Sequence, residues 1–192
     1  VVLLGDETWD YRNIIGGGRP TIIPSIYYQS RGRGLAPSDL FYALVDGGDL
    51  LADLSIGRLA TSSQGEARIV VDKIIGYDTA PEPGPWRTRM LFVANDHPQL
   101  FTDPSDSLAA RYAEPAGLVP VKIYSPDESP VPNPTGKQFI DAFNEGALLM
   151  NYNGHGSPGA LQWIFAMDLP DWGYLSQIQN GRRLPLVLAL SC

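Results

Sequence analysis

A chain of 192 residues with 44% hydrophobic, 10% aromatic and 18% charged residues is long enough for one ordinary domain or two small packed lobes, and global disorder is excluded. The formal net charge of −7 leaves no basic surplus to neutralise nucleic-acid phosphates, and no apolar run approaches the ~20 residues of a membrane span. The single cysteine, Cys192, excludes an internal disulfide framework, and two histidines, His97 and His155, exclude a His-rich zinc site.

Val1–Leu4 is a short apolar run closed by Gly5-Asp6 and reads as a buried strand. Residues 9–24 read as a Gly-rich loop, followed by strands over 22–28 and 40–45 and a half-buried alternating stretch over 54–59. Ala67, Val70, Val71, Ile74 and Ile75 fall at helical spacing, and Ser63 with Glu66 has the form of a capping box, which predicts a helix over 66–77. Pro81-Glu82-Pro83-Gly84-Pro85 can continue neither a helix nor a central strand and sets a lobe boundary between residues 1–82 and 83–192.

Beyond the boundary, strands are expected over 90–94, 119–124, 147–152 and 186–191, and helices over 105–113, 137–144 and 171–179, with 126–134 as a Pro-rich loop. Strands alternating with helices imply βαβ units, hence an α/β chain with mainly parallel sheets flanked by helices. There is no initiator Met and no signal peptide, and the last residue ends a strand without an exit loop, so both ends read as cut from a longer chain.

In open parallel sheets catalytic groups gather at the carboxyl ends of strands. The strand over 147–152 runs into Asn153-Gly154-His155-Gly156-Ser157, and the strand over 186–191 ends in Cys192. Neighbouring strands would bring the one thiol to one of two imidazoles. The imidazole can deprotonate the thiol or protonate a leaving amine. Gly154 and Gly156 allow close approach of the backbone to a substrate, and the amides of Gly156 and Cys192 are candidate oxyanion donors. Taken singly, a cysteine at a strand end is more often a small buried hydrophobe and a Gly-His-Gly loop more often a turn.

Tyr152-Asn153-Gly154-His155-Gly156-Ser157, with Arg183-Leu184-Pro185-Leu186 and a strand ending in Cys192, resembles the gingipain-type cysteine peptidases. The similarity continues through Val2-Leu3-Leu4-Gly5-Asp6, Ser38 to Tyr42, Ile56-Gly57-Arg58-Leu59, Val71 to Tyr77 and Leu91 to Asp96. The resemblance implies a two-lobed catalytic domain whose second lobe is caspase-like, with Cys192 as nucleophile and His155 as general acid/base. It implies that Asp106, early in the first helix of the catalytic lobe, binds a basic substrate side chain, and that Asp96 supports the site, structurally or by holding the His155 ring. Trp163, between the dyad residues, is a candidate for lining the substrate cleft, with core packing an equal alternative. The implied activity is cleavage of proteins or peptides through an acyl-enzyme, by an enzyme that is secreted or at the bacterial surface. No cofactor is needed for the chemistry. Members of the family bind calcium, so a structural calcium ion is a further expectation, but no EF-hand spacing names its ligands. The alternative class is a non-catalytic scaffold or binding module. A nucleotide-binding domain is disfavoured because Gly16-Gly17-Gly18 lacks the spacing and Lys of a phosphate loop.

Overall fold

A computed structural model describes residues 1–8, 10–16, 18, 21–32, 34–95, 97–125, 134–157, 160–161, 165–166 and 174–191. The chain forms two compact units, Val1–Asp78 and Thr79–Cys192. The junction falls four residues before the 82/83 boundary read from the proline cluster. The reason is visible in the contacts of Glu82, whose carbonyl accepts from Trp86 Nε1 at 3.0 Å and whose carboxylate pairs with Arg183 at 2.8 Å.

In the first unit, β1 (Val2–Leu4) pairs in parallel with β4 (Gly57–Leu59), Leu3 opposite Arg58. A hairpin joins β2 (Ile26–Ser30) to β3 (Gly34–Ser38). The Arg58 guanidinium, largely buried, organises the surroundings. It pairs with both Asp39 oxygens at 2.6 and 2.7 Å and donates to the Gly5 and Ile23 carbonyls at 2.7 and 2.8 Å. Residues 40–45 were expected as a strand, but Leu40–Ala43 is a 3-10 turn. Asp39, immediately before it, is committed to Arg58 and Ser25, and Leu40 N donates to Ser38 Oγ, which turns the chain. The strand expected over 22–28 starts only at Ile26, because the Ile22 and Ile23 amides donate to the Asp6 carbonyl. Helix α1 (Gln64–Thr79) begins after Ser63, whose Oγ accepts from Glu66 N at 3.2 Å. The return bond of the capping box lands one residue earlier than expected, with Glu66 accepting from Ser62 N at 2.7 Å.

The second unit is built on a four-stranded parallel sheet. Its strands are β5 (Arg89–Asn95), β6 (Val119–Ser125), β7 (Leu149–Asn153) and, after the three short strands described below, β11 (Leu186–Leu190). The spatial order is β11-β7-β5-β6. Alternation along β5 sends Leu91 and Val93 to one face and Phe92 to the other. The first face packs under helix α3 (Pro134–Glu145) through Phe139, Ile140 and Ala142, joined by Met150 and Tyr152 of β7. Phe92 packs against Ala109 and Ala113. These belong to a helical run from Pro98 to Ala113, of which only α2 (Asp103–Leu108) is regular α-helix, with a π-type turn at each end.

Gly146 ends α3 in the left-handed region at φ +86°, where a Cβ would stand 2.5 Å from Arg183 Cβ. Three short antiparallel strands follow the histidine: β8 (Gly156–Ser157), β9 (Ala160–Leu161) and β10 (Phe165–Ala166), in the order β10-β9-β8. Of the helix expected over 171–179, residues 171–173 lie outside the described residues, and Tyr174–Gln177 is a 3-10 turn. The fold is thus mixed α/β with parallel sheets flanked by helices.

Candidate active site

β7 and β11 are neighbours in parallel register, with Leu190 opposite Asn153. The amide of Gly154 donates to the Leu190 carbonyl at 3.2 Å and prolongs the pairing by one bond. His155 is two residues beyond Asn153, as Cys192 is two residues beyond Leu190. Cys192, Asp96 and Trp163 lie outside the described residues, whereas His155, Gly156 and Asp106 are described.

His155 is exposed, on a loop held from three directions. Its backbone N–H donates to Asn95 Oδ1 at 2.7 Å, and its carbonyl accepts from the Tyr152 hydroxyl, which also lies 3.0 Å from Asn95 Oδ1. Asn153 Nδ2 donates to the carbonyls of Leu100 and Phe101 at 3.4 and 3.3 Å. The imidazole meets the Phe101 ring edge-on, centroids 5.1 Å apart at 83°, and Phe101 in turn meets His97 at 6.0 Å. Gly154 is buried where a Cβ would fall 2.3 Å from Asn95 Oδ1 and 2.7 Å from the Tyr152 hydroxyl. Its small size therefore serves the packing of the loop onto β5 and β7. Gly156 opens β8, opposite Leu161.

Asp106 is engaged elsewhere. Its carboxylate lies 2.8 Å from Lys122 Nζ and accepts from the Tyr124 hydroxyl at 2.6 Å. Bonding to Lys122 and then Tyr124 holds it below the usual carboxylate range, while burial and the Asp106 carboxylate raise Tyr124. Both partners lie on β6, the sheet edge opposite β11 and three strand spacings, about 14 Å, from it. The structure thus brings His155 and Gly156 to the end of the β7–β11 pair and sets Asp106 over the far edge strand.

Asn95, Tyr152 and Phe101 escaped the sequence reading. Asn95 ends an apolar strand where a polar residue is ordinary, and its partner is 60 positions away. Tyr152 ends a predicted strand and opens the motif that carries the family resemblance, and neither place gives its hydroxyl a role. The available signal was the pairing of a buried Tyr with a Gly two residues on, where an aromatic hydroxyl needs a partner.

The sequence pattern of Peptidase family C25 matches residues 1–192 in full. The chain belongs to this family. It is 26% identical over 170 residues to Gingipain R2 of Porphyromonas gingivalis, a match covering 81% of this chain and 21% of that protein. Gingipain R1 of the same species gives the same identity with 15% of its length covered. Two solved structures superpose over the whole chain at 25% identity. They are the Arg specific cysteine proteinase gingipain R (RgpB), with a TM-score of 0.71 and 40% of that chain covered, and the complex of P. gingivalis RgpB pro- and mature domains, with 0.70 and 41%. This member of the C25 family therefore spans about a fifth or less of the curated relatives and two-fifths of the solved chains.

Among the described residues no three His, Cys, Asp or Glu side chains gather as a metal-holding group, so none is assigned to the calcium ion that the family resemblance implies. Among the same residues no helix is long and apolar enough to cross a membrane.

Proposed function

We propose that this chain carries the Cys–His chemistry of a cysteine endopeptidase acting on proteins or peptides. The observation that carries the reading is the parallel register of β7 and β11, which runs to Asn153 opposite Leu190, two residues short of His155 and Cys192. Family membership supports the same assignment. In the proposed reaction His155 takes the proton of the Cys192 thiol and the thiolate attacks the peptide carbonyl carbon. The tetrahedral oxyanion accepts hydrogen bonds from the backbone amides of Gly156 and Cys192. His155 then protonates the departing amine as the C–N bond breaks and leaves a thioester. Water, deprotonated by His155, hydrolyses it and restores the thiol.

The test is the reactivity of Cys192 in the intact protein. An activated thiolate reacts rapidly with a haloacetamide near neutral pH, and Cys192→Ala abolishes peptide turnover without loss of folded structure. A slowly reacting thiol together with unchanged hydrolysis by Cys192→Ala would overturn the reading and favour a non-catalytic scaffold.

Cleavage after basic residues is the second part of the proposal. Its support is the solved relative described as Arg specific and the acidic residue at Asp106. A substrate cation arriving there must displace Lys122. Asp106→Asn is expected to lower kcat/KM about ten- to a hundredfold for a substrate with Arg before the cleaved bond and to spare a neutral one. Equal loss on both, or none, would leave Asp106 to its network with Lys122 and Tyr124. The kinship with gingipains also supports a location outside the cell or at the bacterial surface, which fractionation of the producing cells tests.

A further inference from the structure

We propose that Asn95 is a positioning residue for His155, acting through the backbone of the histidine loop. The proposal rests on the reading of His155 as the general acid/base. Asn95 closes the central strand β5 and is only 5% exposed. Its Oδ1 accepts the His155 N–H at 2.7 Å and lies 3.0 Å from the Tyr152 hydroxyl. Tyr152 is fully buried in the core cluster under α3, and its hydroxyl also reaches the His155 carbonyl. Both backbone polar groups of His155 are therefore bonded to side chains rooted in the two middle strands of the sheet.

A loop tied only to itself could carry the imidazole through an ångström or more. A misplacement of that size costs an acid–base catalyst about a hundredfold in rate. Gly154 makes the attachment sterically feasible, since a Cβ there would fall 2.3 Å from the same Asn95 oxygen. What the site requires of residue 95 is an acceptor at the end of a short side chain. Asparagine and aspartate both meet that requirement, and alanine does not.

The experiment compares variants of the intact protein on a peptide amide with Arg before the cleaved bond, with thermal unfolding monitored in parallel. Asn95→Ala is expected to lower kcat about 10- to 100-fold with KM within about twofold. Asn95→Asp keeps the acceptor and is expected to restore kcat to within about threefold. Gly154→Ala is expected to reproduce the loss, and the double variant Asn95→Ala with Gly154→Ala to lose no more than the worse single, since both break one attachment. If Asn95→Ala does not fold, Tyr152→Phe, which keeps the ring in the core and removes only the hydroxyl, must show the selective loss in kcat.

Unchanged kcat in folded Asn95→Ala, a loss confined to KM, or a loss in folded Asn95→Asp equal to that in Asn95→Ala would each overturn the positioning role. His155→Ala separates the two readings. Full activity there overturns the acid–base role and the positioning role with it, whereas loss there beside an unaffected Asn95→Ala overturns the positioning role alone.

Discussion

In the unit Thr79–Cys192, five consecutive residues of β5, Leu91 to Asn95, are buried, and helices cover the two faces of the strand. In Val1–Asp78 the arrangement is nearly reversed. Helix α1 buries no residue, among the described residues the strands pair two by two, and a charged junction of Arg58 and Asp39 ties β4 to the loops around it. An apolar core resists change by excluded volume. A charged junction resists it because each partner, left alone, is an uncompensated and half-desolvated ion. The two units should therefore fail in different ways, and four measurements probe that difference.

The largest effect is expected in the core. Phe92→Ala removes a fully buried ring facing Ala109 and Ala113 and should cost about 3–5 kcal/mol in denaturant unfolding, with hydrogen-exchange protection falling across β5 and β6. Arg58→Ala should cost somewhat less, about 2–4 kcal/mol, because the pair is only partly desolvated. Protection should fall around β1 and β4 while β5 and β7 keep theirs. A loss of equal size in both units would break the comparison.

Acid sharpens it next. Hydrogen bonds from Arg58 hold Asp39 below the usual carboxylate range, so the ionised group stabilises the folded state. The contribution is complete above the unfolded carboxylate value near pH 4 and is lost as pH falls through the lower folded value. Exchange protection around Arg58 should thus decline below about pH 4, and the decline should be absent in Arg58→Ala. The smallest expected effect is that of Ser63→Ala, about 1 kcal/mol, since Ser63 Oγ accepts only one amide at the start of α1.

The same contrast explains what could be read in advance. The apolar run at 90–94 marks β5, which is buried on both faces, and the stretches 119–124 and 137–144 mark β6 and α3, because burial leaves a pattern of apolar residues in the sequence. The charged junction leaves none. Asp39 joins Arg58 across 19 positions, and that attachment converts an apolar stretch that resembles a strand into the 3-10 turn at Leu40–Ala43. The histidine loop was legible as a Gly-His-Gly motif at a strand end. Its anchors at Asn95 and Phe101 were not, since they come from β5 and the turn after it, brought close only by the strand order. The role expected for Asp106 comes from the family resemblance, and sequence carries no sign that its carboxylate also meets Lys122 and Tyr124 on β6.

β11 bears on how these 192 residues behave in a tube. Leu186 to Leu190 are all exposed, and the strand stands at the rim of its sheet with one backbone edge unmatched among the described residues. Such a rim is a template on which a second rim can grow. Mutual repulsion at a net charge of −7 keeps neighbouring molecules apart near neutral pH. Acidification toward the isoelectric point near 4.7 removes that repulsion, and concentrated salt screens it. Turbidity should therefore rise steeply as a neutral, dilute-salt solution is titrated toward pH 5, and a lysine in place of Leu188 should delay it.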